Sequence, residues 1–260
     1  MDAEIYIDNN SFIHRIDPRV KIILFLLTFV AILLFQDPIW MLPITFLIVI
    51  QLAISGAFVN MRRIKYILIV LTVSSMILWN LFSSGDTKLF WIFSVESLTY
   101  AVARTMLMIL MISAGMILIT STRNEELVNG MIRLGMPYRV GFAISTALRL
   151  VPTIVTSTIT ISQAQRSRGL DLESGNLLER LKKFLPLLVP VFISTIRSTN
   201  IFGMALESKG FGASEERTFY LDFEMKTSDY LVLAFGILFM LASIYFAIMG
   251  YGKIEGLVRA

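Results

Sequence analysis

Five apolar stretches decide what this chain can become: residues 20–35, 39–59, 64–82, 98–120 and 230–251. A helix needs roughly 20 apolar residues to cross the hydrocarbon core of a bilayer, with ~17 at the low end. Each stretch meets or approaches that length. The first is slightly short, and its flanking Arg19 and Lys21 are expected to snorkel to the interface. The fourth contains Arg104, which is expected to reach the interface if it lies near the helix end. The 16% of charged residues and the mean hydropathy of +0.74 agree with a membrane protein. Soluble domains carry about 25% charged residues. No signal peptide is expected, because the first apolar run follows an acid-containing lead and no small-residue cleavage site comes after it.

Several chemistries are excluded by residue content. There are no cysteines, so disulfides and thiolate metal sites cannot form. His14 is the one histidine, which rules out a histidine-cluster metal site. No phosphate-binding G-x-x-x-x-G-K-[ST] loop, H-E-x-x-H or G-x-S-x-G motif occurs. An intramembrane enzyme is therefore disfavoured. The five spans hold no acidic residue, whereas ion-coupled carriers place ionisable groups at mid-membrane. The net charge of +4 does not call for nucleic acid, since basic residues collect at the cytoplasmic face of membrane proteins.

Two further stretches, within residues 138–168 and 176–209, are apolar enough to be taken for spans. Each carries a basic residue near its middle, Arg149 and Arg197, and internal proline, Pro152 in one and Pro186 and Pro190 in the other. A charge at the bilayer centre costs at least ~2.5 kcal/mol. Were residues 140–161 to span, Arg166, Arg168, Arg180, Lys182 and Lys183 would lie outside, against the positive-inside rule. With the N-terminus and its Arg15, Arg19 and Lys21 in the cytoplasm, residues 121–228 stay on the cytoplasmic side. The expected fold is all-α: four membrane helices over 1–120, a cytoplasmic domain over 121–228, and a last membrane helix over 229–260. The cytoplasmic part should hold one short helix, opened by a capping box from Thr122 to Glu125 with Leu127, Met131 and Leu134 on one face, and two long crossing amphipathic helices. A stand-alone channel or carrier with seven spans is the alternative.

The long helices end alike. Ala164-Gln165-Arg166-Ser167-Arg168-Gly169 and Ala205-Leu206-Glu207-Ser208-Lys209-Gly210 both read A-x-x-S-[RK]-G. Gly169 and Gly210 suit left-handed caps, and Arg168 and Lys209 complement the negative end of the helix dipole. Capping does not require the alanine and serine at matching offsets. Small residues there let a partner surface approach, so the two tips are candidate docking points. Asp17 and Pro18 read as the N-cap and first residue of a helix. Arg149 and Pro152 form a candidate hinge.

Together these segments resemble the transmembrane T component of energy-coupling factor (ECF) transporters, over nearly the whole chain. The likeness begins at His14-Arg15-Ile16-Asp17-Pro18-Arg19, similar to the family's H-R-L-D-P-R opening. It runs through Thr120-Ser121-Thr122, Gly135-Met136-Pro137 and Arg149-Leu150-Val151-Pro152 to the two tips. The family's Ala-Arg-Gly signatures read here as Ser167-Arg168-Gly169 and Ser208-Lys209-Gly210; Lys209 keeps the charge but loses arginine's two-pronged fork. The resemblance implies a non-catalytic subunit of the prokaryotic cell membrane. Two ATPase subunits would receive the tips and bind ATP and Mg, this chain holding no cofactor. A membrane-embedded substrate-binding S component would contact the long helices, and the complex would import a vitamin or a metal ion.

Overall fold

A computed structural model describes residues 6, 7, 9, 11–85, 88–90, 93–170, 176–213, 225–254 and 257–259. The chain is an all-α membrane protein with two short strand pairs trimming its loops. In order it runs α1 (Phe12–Arg15), α2 (Pro18–Leu34), α3 (Pro38–Ser55), α4 (Phe58–Arg63), α5 (Lys65–Phe82), β1 (Ser83–Gly85), β2 (Lys88–Phe90), β3 (Phe93–Ser94), α6 (Val95–Ser121), α7 (Asn124–Arg133), α8 (Tyr138–Ser167), α9 (Leu177–Ser208), α10 (Thr227–Ile248) and β4 (Leu257–Arg259). β1 pairs antiparallel with β4, and β2 with β3. The chain divides into two compact units, one of residues 1–137 and 223–260, the other of residues 138–222. The division falls after α7, which packs on α2.

In the first unit α6 is the central helix, packed against α2, α3 and α5. Small and hydroxylated residues along it, among them Ser97, Ala101, Ala103, Thr105, Ser113 and Ala114, are buried. Small side chains let backbones approach closely where lipid gives no hydrophobic drive between helices. Around α6 sits the apolar core, including Ile32, Met41, Ile44, Ile48, Leu110 and Ile117. Leucine, isoleucine and phenylalanine elsewhere on α5 and α10 face outward, as a lipid-facing surface requires.

Two ends of this unit can be told apart. At one, Lys21 Nζ donates to Ser121 O at 2.8 Å and to His14 O at 3.0 Å, and Asn60 Nδ2 donates to Thr120 Oγ1 at 2.9 Å. At the other, the Gln36 and Asp37 amides donate to Gly252 O, and Ser83 Oγ meets Ser97 Oγ at 2.9 Å. α2, α3, α5, α6 and α10 each run from one end to the other. α10 lies parallel to α2, with Asp229 beside Asp17 at their starts and Gly236 against Leu24 further along. A Cβ at Gly236 would collide with the Leu24 methyl, so glycine sets how closely these two helices pack.

Helix starts follow the sequence where a proline fixes them. Asp17 caps α2 by accepting from the Arg19 amide at 2.8 Å, and Asp37 caps α3 by accepting from Ile39 at 3.0 Å. Each proline sits at the first helical position, where its missing N–H costs nothing. Other expectations are corrected. The stretch 39–59 is cut at Gly56, whose φ of 72° ends α3 before the short α4 begins. The capping box at Thr122 does not form: α7 starts at Asn124 with Arg123 at the N-cap, and the Thr122 hydroxyl is buried without a hydrogen-bond partner. On α7, Leu127 and Met131 are half-buried and Leu134 is exposed. Val128, Asn129 and Gly130 are buried, because Gly130 lets α7 approach Pro18 and Ile22 closely.

Among the described residues, six helices are long and apolar enough to cross a membrane, by length and composition: α3, α5, α6, α8, residues 182–208 of α9, and α10. α2, with 17 residues, falls just short of that set. α8 and α9 have the lowest mean hydropathy, 1.4 each against 1.7 to 2.6 for the others.

Replacing Gly236 by valine should strain the α2–α10 contact and cost about 1–3 kcal/mol. A lowered melting temperature of the purified chain in detergent, with helical content kept at low temperature, is the expected result.

Candidate functional site: two exposed basic helix tips

The second unit is built from α8 and α9, which start and stop within a residue of the expected bounds. Both run unbroken through their prolines. They pack with antiparallel sense. Near the end of α8, Gln165 Nε2 donates to Pro186 O at 3.3 Å. At the opposite end, Phe211 lies against the start of α8, its ring 4.4 Å from Phe142 and 6.5 Å from Tyr138.

The repeated hexapeptide has one structure in both places. Gly169 takes φ 89° and Gly210 takes φ 75°. In the first tip the Leu170 amide donates to Gln165 O at 3.0 Å and the Gly169 amide to Arg166 O at 3.0 Å. In the second the Phe211 amide donates to Leu206 O at 3.0 Å and the Gly210 amide to Glu207 O at 2.9 Å. This is the Schellman motif, which consumes carbonyls left open at a helix end. An apolar residue follows each glycine, half-buried Leu170 in one case and Phe211 in the other. The serine hydroxyls turn back into their own helices, Ser167 Oγ donating to Gln163 O and Ser208 Oγ to Ala205 O.

What the tips present outward is therefore narrow. Ala164, Ser167, Arg168, Gly169, Ala205, Ser208, Lys209 and Gly210 are all exposed. The serines are satisfied internally and the alanines offer only a methyl, so the outward charged groups are Arg166 and Arg168 at the first tip and Glu207 and Lys209 at the second. Arg168 and Lys209 side chains make no hydrogen bond or ion pair with the described residues. One tip ends α8 and the other sits beside its start. The 25 residues from Phe142 to Ser167 rise 1.5 Å each, which puts the tips about 40 Å apart along the pair.

Arg149 and Pro152 are exposed on α8, three residues apart and thus on one side of the helix. The Pro152 carbonyl accepts from Thr156 Oγ1 at 2.9 Å.

A second constellation was not foreseen as one. Lys21 is only 6% exposed; it does not snorkel but ties the end of α6 to α1 through two carbonyls. Asp229, 2% exposed, accepts from the Asp17 amide at 3.3 Å and from the Lys226 amide at 2.9 Å. Asp17 also lies 3.6 Å from Arg19 Nε. His14 completes the region, with Nδ1 2.7 Å from Ser11 Oγ and Nε2 2.8 Å from Ile7 O. The signal in the sequence was an acidic residue in the first turn of the last apolar helix, which ordinarily marks only a helix start.

No Cβ contact would arise at Gly169 or Gly210 within 4 Å, so an alanine there meets only backbone strain. Gly210→Ala should cost roughly 1–2 kcal/mol at this left-handed position. Amide hydrogen exchange at residues 209–211 should accelerate, while that of the α9 middle stays unchanged.

Residues 9–220 match the family described as cobalt transport protein, CbiQ. Curated relatives named energy-coupling factor transporter transmembrane protein EcfT align over most of their length. One from Lactococcus lactis subsp. cremoris is 30% identical over 88% of this chain and 91% of its own. Another, from Ruminiclostridium cellulolyticum, is 32% identical over 90% of this chain and 92% of its own. A family match of that extent, together with two such relatives, means that the chain belongs to the CbiQ cobalt transport protein family, among the transmembrane proteins of energy-coupling factor transporters.

Proposed function

We propose that this chain is the non-catalytic coupling subunit of an ECF-type importer of the prokaryotic cell membrane. In this reading α8 and α9 lie on the cytoplasmic side with the N-terminus. Arg168 and Lys209 dock into grooves on two ATPase subunits, which bind ATP and Mg. Closing of the ATPase pair moves the tips, and the long helices pass the motion to a membrane-embedded S component that carries a vitamin or metal ion. Arg149 and Pro152 are the proposed hinge.

The observation that supports this most is the duplicated tip. One helix end capped by glycine is ordinary. Two with the same backbone caps, the same small residues and an exposed cation at the same offset, about 40 Å apart along the pair, suit two sockets of one kind. The exposed apolar residues of α8 and α9, such as Val151, Val155, Phe192 and Ile196, suit a partner or lipid surface. Arg168 can grip a carboxylate in two places, and Lys209 offers a single point charge.

The seven-span carrier draws on a different observation, the length and apolar content of α8 and α9. α7 packs at the start of α2, and Asp229 at the start of α10 sits beside Asp17. The chain thus leaves and re-enters the first unit at one end, which permits zero or two crossings between. Charge favours zero. Two crossings would carry Arg166, Arg168, Lys182 and Lys183 to the side that positively charged segments avoid.

Two measurements test the proposal. Arg168→Glu with Lys209→Glu should lose ATPase subunits on purification of the membrane complex, since truncating one side of a buried charge pair costs about 2–5 kcal/mol and reversal costs more. Retained subunits with persistent transport would refute it. Single cysteines at 168 and 209 should both react with a membrane-impermeant reagent only from the cytoplasmic side; opposite sidedness would establish the seven-span arrangement.

A further inference from the structure

Arg104 sits well inside an apolar helix of the first unit. It lies in α6, nine residues past Val95, or about 14 Å along the helix. The surrounding segment has a mean hydropathy of 2.1. Its guanidinium carbon is 4.8 Å from the centre of the Tyr100 ring and 5.6 Å from that of Trp79. Tyr100 is one turn back, so the side chain leans toward the start of α6, as long helical side chains do. That is the end of the bundle carrying β1 and the Gln36–Gly252 contact.

The charge is incompletely balanced by the protein. Among the described residues Arg104 has no carboxylate at ion-pair distance, and its buried Nε has no hydrogen-bond partner. The nearby hydroxyls are committed elsewhere: Thr105 Oγ1 donates to Ser75 Oγ at 3.0 Å, and Ser97 Oγ joins Ser83 and Asn80. Two aromatic faces offset only part of the cost of a cation in hydrocarbon. They also fix the guanidinium plane, which leaves its fork of N–H donors preorganised for an oxyanion.

We propose that Arg104 binds the phosphate of a membrane phospholipid beside Tyr100 of α6 and Trp79 of α5. Trp79 and Phe82, three residues apart on α5 and so on one side of it, are 39% and 63% exposed and would give an acyl chain an apolar surface. A phospholipid brings both an anion for the guanidinium and hydrocarbon for the exposed rings. On the orientation proposed above, the lipid belongs to the extracytoplasmic leaflet. The phosphate site itself does not depend on that orientation or on the docking role of the tips.

Native mass spectrometry of the full chain released from detergent tests this directly. The probes are phosphatidylglycerol, the phosphate-free diglucosyl-diacylglycerol with matched acyl chains, and inorganic phosphate alone. The wild type should retain phosphatidylglycerol about tenfold more than the glycolipid, a ratio in keeping with a hydrogen bond to a charged group. Arg104→Gln should lose about that factor, and Arg104→Lys should fall between. Equal retention of the two lipids by the wild type would overturn the proposal without recourse to any variant. So would unchanged phosphatidylglycerol retention in Arg104→Gln, or binding of inorganic phosphate with no preference for the phospholipid.

Discussion

The first unit depends on a buried carboxylate shared by two distant helix starts. Asp229 accepts backbone N–H groups at the beginning of α10 and at the N-cap of α2. Helix starts leave amides without partners, and burial without a partner costs free energy. One carboxylate therefore satisfies donors from both helices and joins residues 212 positions apart. It also sets the parallel packing of α10 on α2, which Gly236 then allows to close. Lys21 performs the complementary task for open carbonyls, drawing the end of α6 against α1.

The second unit solves a different problem. Its two helices pack on each other, and many of their apolar side chains stand exposed. The polar ends are closed off tightly by Schellman bonds, while the cations remain open. Such a pair keeps its ends well defined and its flanks available, which suits the coupling role proposed for it. Phe211 contributes to both, since it is the apolar residue after the second cap and also stacks on the start of α8.

How much was legible in advance differs by element. The long helices were placed within a residue because their ends carry glycine caps at matching positions, and left-handed caps are a local property. The starts of α2 and α3 were legible for the same reason, an aspartate followed by a proline. The capping box at Thr122 failed although its spacing was right: Thr122 is buried, and α7 begins two residues later. How α7 packs was not legible, because a glycine, invisible to a hydrophobic pattern, governs how near the helix comes to Pro18. Arg104 could be seen as a charge in an apolar run, but its neighbours could not, since Trp79 comes from another helix.

The sequence by itself determined the class of protein, the apolar helices, their proline-led starts and the paired basic tips, because these rest on composition and on interactions within a few residues. Only the tertiary structure decided that Asp229 belongs with Asp17, that Lys21 is buried rather than exposed to water, and that the two tips lie at opposite ends of one helix pair. Those features join residues far apart in the chain, and no local periodicity or propensity records which distant partner will satisfy a buried polar group.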